Sequence, residues 1–164
     1  MANAKPVAYV TGGSRGIGAA IVQALAADHH VVAVARSEEK LSVVATAAAA
    51  LGHNVEAMVV DIADAAALAG SIEAVIEKHG RLDVLVNNAG ITRDGLFMRM
   101  DDADFDEVIR TNLKSAFVAA RAAARAMIRE RFGRIINGGG QHMPVHGQAG
   151  DGQFNSPGCS EAVA

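Results

Sequence analysis

At about 100 to 200 residues per domain, a chain of 164 residues holds one domain. It is 51% hydrophobic and 20% charged, which supplies a single sizeable core and excludes global disorder. The net charge of −3 comes from 15 cationic and 18 anionic residues that are interspersed, so no polybasic block invites nucleic acid or anionic lipid.

The one cysteine, Cys159, excludes an internal disulfide and a multi-cysteine zinc site. The first residues lack the charged and apolar regions of a signal peptide, and no uncharged apolar run is long enough to span a bilayer. The expectation is a soluble, cytoplasmic protein without a membrane segment.

In chain order, short β-branched runs alternate with longer Ala/Leu-rich segments of helical spacing, the pattern of βαβ units and a parallel sheet. Strands are predicted at residues 7–10, 31–35, 55–60, 82–86 and 134–137, each nearly continuous in apolar character, as strands covered on both faces are. Helices are predicted at 16–28, 38–51, 64–79 and the pair 101–110 and 112–131. In the last of these, Leu113, Phe117, Ala120, Ala124 and Met127 fall on one face that should pack, while Arg121, Arg125 and Arg129 form a separate, wet stripe. The fold class is therefore α/β, a Rossmann-like doubly wound parallel sheet, truncated after about five strands. Residues 1–137 form its dinucleotide-type unit. Residues 138–164, rich in Gly, Gln, His and Pro, read as an irregular, degenerate tail of the same domain. A fifth strand left at the edge would be an apolar edge, open unless the tail or a partner chain covers it.

Between the first strand and first helix stand Gly12, Gly16 and Gly18. Glycine permits a tight turn and lets backbone N–H groups approach a pyrophosphate at a helix N-terminus, where the dipole favours anions. The spacing is GxxxGxG, and a glycine cluster alone is equally an ordinary turn.

Five segments in order carry more: TGGSRGIG at 11–18, NNAG at 87–90, ITRDGLFMRM at 91–100, TNLKSAF at 111–117 and GRIIN at 133–137. With them the chain resembles the short-chain dehydrogenase/reductase family, and within it the reductases of 3-oxoacyl thioesters carried on acyl carrier protein or coenzyme A. The resemblance implies an NADPH-dependent oxidoreductase that reduces a 3-oxoacyl thioester to the 3-hydroxyacyl thioester, with a homo-oligomeric assembly. It places the cofactor on Gly12, Ser14, Arg15, Gly16, Ile17 and Gly18, sets Asp61 and Ile62 beside the adenine, and lines the cleft with Asn88, Ala89 and Gly90. Asp61 also fits the N-cap region of the following helix.

An acidic residue about 20 positions after the glycine turn would hold the adenosine ribose of NAD; here Arg36 ends the second strand. Arg36 and Arg15 offer two guanidiniums for a 2′-phosphate, which favours NADP. The alternative is that both are solvated, with Glu38 and Glu39 neutralising Arg36.

Carbonyl reduction needs hydride from the nicotinamide and a positioned acid for the developing alkoxide. The family supplies a tyrosine, a lysine four residues later, a serine and an asparagine. Asn112 matches the asparagine. The only tyrosine is Tyr9 and the last lysine is Lys114, so no Tyr-x-x-x-Lys pair follows residue 137. Ser156 and Ser160 occupy the tyrosine and lysine positions, and neither can supply the acid or the charge. The family's serine falls at Gly140 or near Pro144 according to the direction of counting, so the spacing is disturbed too. Turnover is not expected of the chain as written. A shifted reading frame after Asn137 and a genuine tail both account for this, and the second leaves a non-catalytic NADP-binding module or partner subunit. A third reading is a fragment that folds poorly.

No metal site is expected: His142 and His146 stand four apart, but Pro144 interrupts any helix between them and no carboxylate cluster lies near. Arg125, Arg129, Arg131 and Arg134 could receive an acidic carrier protein or form a solvated helix face.

Overall fold

Valine-rich runs form the sheet because β-branched side chains suit a pleated surface packed on both sides. The structure is a computed structural model that describes residues 5–93, 97–138 and, by backbone alone, 160–163. In chain order the strands are β1 (Val7–Thr11), β2 (His30–Ala35), β3 (Val55–Val59), β4 (Val84–Asn87), β5 (Arg134–Asn137) and β6 (Ser160–Val163). The helices are α1 (Gly16–Ala26), α2 (Glu38–Ala50), α3 (Ala65–His79), α4 (Asp102–Val108) and α5 (Ser115–Glu130). The strand order is β3-β2-β1-β4-β5-β6, parallel from β3 to β5. The predicted doubly wound sheet is thus the one found.

Alternation along each strand divides the core into two lobes. Tyr9, Val32, Val34 and Leu85 face α3 and α5, packing on Leu68, Ile72, Val75, Val118, Ala123 and Met127. Ala8, Val10, Val31, Ala33, Val84 and Val86 point the other way, against Val22 of α1 and Leu41 and Val44 of α2. Helix starts are fixed by side chains that accept orphan backbone N–H groups. Ser37 caps α2, Asp64 caps α3 through Ala66 and Ala67, and Asp101 caps α4.

Three expectations need correction. The predicted helix pair is one continuous rod in which a π turn (Ile109–Lys114) joins α4 to α5. Its packed face is not the predicted one. Leu113 and Phe117 are 63% and 60% exposed, and the buried stripe is Ser115, Val118, Ala119, Ala123, Ala126 and Met127. A wider turn alters the 3.6-residue phase, and small alanines let α5 lie close to α3 where a phenylalanine would hold it off. Met127 alone of the larger predicted side chains is fully buried. Finally, the tail is not irregular throughout: β6 pairs antiparallel with β5, Ser160 opposite Asn137 and Val163 opposite Arg134. An edge strand presents unpaired N–H and C=O groups, and an extended segment satisfies them whatever its own periodicity.

Candidate functional site

Parallel strands deliver their following loops to one edge of the sheet. Between β1 and β4 the connections diverge, β2 lying to one side and β5 to the other, which opens a crevice at the carboxyl ends. The glycine turn sits there. A Cβ on Gly18 would lie 2.0 Å from the Gly12 carbonyl oxygen, and one on Gly12 would lie 2.9 Å from the Ala89 Cα. The first turn of α1 is therefore pressed against the turn and against the loop after β4 as only glycine allows. Gly12 and Gly16 also hold φ of 68° and 53°.

Unlike α2, α3 and α4, α1 has no side-chain cap: its N-cap Arg15 is extended and its side chain accepts no helix N–H, and no acidic residue lies in the first turn. Orphan N–H groups at a helix start, with the positive dipole end behind them, accept an anion such as a pyrophosphate. The crevice thus fits a dinucleotide's anionic centre by its own geometry. Ser14 is half-buried beside it, and Arg15 and Ile17 are exposed at its mouth.

The floor is tied together by a residue that sequence reasoning did not single out. Thr11 Oγ1 accepts from the backbone N–H groups of Asn88 (3.0 Å) and Ala89 (3.1 Å) and donates to Val86 O (3.3 Å). Asn88 Nδ2 donates back to Thr11 O at 3.2 Å. Its amide thus spans the crevice floor and joins the two loops. The available signal was a hydroxyl at the buried end of an apolar strand, directly before glycine. At the next strand ends, Asn87 Nδ2 donates to Asn137 Oδ1 at 2.9 Å.

Asn112 lies in the π turn, a helix defect that often marks functional positions. Its Oδ1 accepts from Ile91 N at 2.8 Å and its Nδ2 donates to Ile91 O at 2.9 Å. The amide therefore clamps the segment after Gly90, with which it is in close contact.

Arg36 follows β2 directly and is exposed, as is Arg15. Among the described residues neither is paired with a carboxylate, Glu38 and Glu39 included. Asp61, at the carboxyl end beyond β3, is exposed and accepts from Ala63 N at 3.0 Å, while Asp64 performs the capping. Ile62 is 9% exposed and belongs to the core lobe under α3. Ala89 is half-buried and Gly90 exposed at the crevice.

Tyr9 is far from any acid's role. It is fully buried in β1 and hydrogen-bonded to Ser71 Oγ at 2.6 Å. Burial pushes its hydroxyl up to about 12, with the Ser71 bond opposing. Ser160 stands in β6, opposite Asn137 near the crevice. Ser156, Gly140, Pro144, His142, His146 and Cys159 lie outside the described residues.

An uncapped helix start and a glycine-tight crevice at the switch point of a doubly wound sheet define the class: an α/β protein of the dinucleotide-binding type. Comparison with known proteins narrows it. The family described as short chain dehydrogenase matches residues 6–148, and the chain belongs to it. It is 43% identical over 131 residues to the 3-oxoacyl-[acyl-carrier-protein] reductase FabG of Escherichia coli, covering 79% of this chain and 52% of that protein. It is 47% identical over 132 residues to the protein of the same name from Staphylococcus aureus, covering 79% and 54%. A metagenomic short-chain oxidoreductase solved in complex with NADP superposes with a TM-score of 0.81 at 41% identity, over 85% of this chain and 64% of that one. The chain spans about half the length of the curated relatives it matches. Among the described residues no helix is long and apolar enough to cross a membrane.

Proposed function

We propose that this chain is an NADP(H)-binding unit of the lineage that reduces 3-oxoacyl thioesters to 3-hydroxyacyl thioesters, and that as written it binds cofactor without turnover. The carrying observation is a divided site: the uncapped start of α1 and the glycine-tight turn beside it suit a pyrophosphate, while no residue after 137 in this sequence is a tyrosine or lysine. The cofactor rests on Gly12, Ser14, Gly16, Ile17 and Gly18 at the start of α1, with Asn88, Ala89 and Gly90 along the cleft and Asp61 and Ile62 toward the adenine. Arg15 and Arg36, exposed and without a carboxylate partner among the described residues, meet the 2′-phosphate. When bound, the cofactor would be the hydride source of such a reaction, and Asn112 keeps the wall of the cleft in place through its bonds to Ile91. Removing a general acid alone costs 10² to 10⁴ in rate, and here the lysine and serine are absent with it.

The substrate class, an acyl thioester on acyl carrier protein, follows from what the curated relatives are named for, and coenzyme A as the alternative carrier follows from the family resemblance. A second copy of the chain is the expected partner, supported by the exposed stripe of Phe105, Ile109, Leu113 and Phe117 running from α4 through the π turn into α5. The test is calorimetry of the full chain with NADPH, together with an assay of NADPH oxidation by acetoacetyl-CoA. Binding without oxidation is expected. Absence of binding overturns the nucleotide site, and oxidation at a rate typical of such reductases overturns the non-catalytic reading.

A further inference from the structure

The opposite, amino end of the sheet carries a cluster that neither the motifs nor the cofactor crevice uses. His30 opens β2, Glu56 is the second residue of β3 and His79 closes α3, so three elements distant in sequence bring their side chains to one point. Each imidazole presents Nε2 to the same Glu56 Oε2, both at 3.4 Å. The rings lie 4.5 Å apart between centroids, tilted by 41°. All three side chains are largely withdrawn from solvent, at 18%, 23% and 19% exposure.

The distances discriminate between two uses of this cluster. Hydrogen bonds of the N–H···O type centre near about 2.9 Å, so two contacts of 3.4 Å to one oxygen are long. A tetrahedral zinc ion with ligand bonds of about 2.0 to 2.1 Å separates its ligand atoms by roughly 3.3 to 3.4 Å, which is the spacing seen. All the candidate ligand atoms lie within 4.8 Å of one another, close enough for a small side-chain adjustment to bring the two imidazoles onto one ion. Lys78 Nζ donates to the other carboxylate oxygen, Glu56 Oε1, at 2.8 Å. It leaves Oε2 to the two histidines and fixes the carboxylate in one orientation, the part that outer partners play at metal sites. A surface cleft of about 410 Å³ bordered by Lys5, His30, Asn54, His79 and Arg81 gives an entry path and room for solvent in a fourth position.

We propose that His30, Glu56 and His79 form a three-ligand site for Zn²⁺ or a closely related borderline cation, remote from the cofactor crevice. Two imidazoles and one carboxylate suit such ions and do not suit Mg²⁺ or Ca²⁺, which take all-oxygen shells. Bound there, the ion ties the starts of β2 and β3 to the end of α3. The inference stands independently of the proposed activity.

The test is calorimetry and thermal melting of the chelator-treated full chain with ZnCl₂, with MgCl₂ as control. One Zn²⁺ per chain and a rise in Tm that MgCl₂ does not produce are expected. The double variant His30→Asn with His79→Asn should lose both effects, and Glu56→Gln should bind at least tenfold more weakly, with far-ultraviolet circular dichroism reporting that each has folded. His142→Asn with His146→Asn should retain both effects. Absence of Zn²⁺ binding, binding unchanged in folded Glu56→Gln, or loss confined to the His142/His146 variant overturns the proposal.

Discussion

The two ends of the sheet are built on opposite principles. At the amino end a buried charge is fully paired: the Asp83 carboxylate, 2% exposed, accepts from Val7 N at 2.7 Å and from Arg81 Nε and Nη2 at 2.8 and 2.6 Å. Asp83 main-chain groups also join β1 and β5, through Val7 O and Arg134 N. At the carboxyl end the start of α1 is left without a side-chain cap, and Arg15 and Arg36 have no carboxylate partner among the described residues. Paired groups hold strands in register, whereas groups without protein partners leave hydrogen-bonding capacity for a ligand. Stability should therefore depend on the amino end and nucleotide binding on the carboxyl end, and each dependence can be broken separately.

The largest effect falls at Asp83. Asp83→Asn removes the charge opposite Arg81 and turns one acceptor into a donor facing a donor, so a buried carboxylate hub is lost with no change in volume. Breaking such a hub leaves unpaired groups, and unfolding in urea should show a loss of about 3 kcal/mol. The partial exposure of Arg81, 42%, keeps the cost at the lower end, because the guanidinium can resolvate. NADPH affinity of the folded variant should be unchanged. A variant as stable as the parent, or one folded but unable to bind NADPH, would show that the two ends are not separable in this way.

Between the ends, Tyr9 reports on the core itself. Its hydroxyl is raised from 10.0 to about 12 by burial, against the opposing Ser71 hydrogen bond. A raised pKa means the folded state holds the proton more tightly than the unfolded one. The associated stability is fully present below pH about 10 and is lost as pH rises toward about 12, at about 1.4 kcal/mol per unit, or about 2 to 3 kcal/mol in all. Because the chain has one tyrosine, tyrosinate absorbance during an alkaline titration belongs to Tyr9 alone. It should appear only near pH 12 or together with unfolding. Ionisation near pH 10 in the folded chain would remove Tyr9 from the core position described.

The difference between the ends also explains what the sequence disclosed. Strands, helices and the glycine turn rest on local pattern and backbone conformation, so β5 falls at the predicted residues and Gly12, Gly16 and Gly18 sit where the motif put them. Thr11, Asn87 and Asn137 act through partners far away in the chain, and a single hydroxyl or amide leaves no periodic trace. The His30, Glu56 and His79 cluster is hidden for the same reason, since its members lie on three elements with no motif spacing. The face of α5 was misread because large apolar side chains outweigh alanines in a hydrophobic pattern, yet close packing against α3 selects the alanines. Asn112 was legible through its flanking residues, while its reciprocal bonds to Ile91 depend on the approach of another loop.

The smallest effect sharpens the carboxyl end. Arg36 stands at the end of β2 where an acidic residue would hold a ribose hydroxyl, and it is exposed with no carboxylate partner among the described residues. If it meets a 2′-phosphate, its contribution is a charge-assisted hydrogen bond made only with the phosphorylated cofactor, about 1.5 to 3 kcal/mol at best and less at an exposed, salt-screened position. Arg36→Ala should then weaken NADPH binding about tenfold and leave NADH binding as it was, so that the ratio of the two affinities, not either alone, carries the information. Added salt should shrink the difference between parent and variant. The chain has no tryptophan, so the nicotinamide's own emission or calorimetry is the readout. Equal weakening of both cofactors would mean that Arg36 shapes the crevice generally. An unchanged ratio would return the choice of phosphate to Arg15, where the corresponding alanine variant should show the same selective loss.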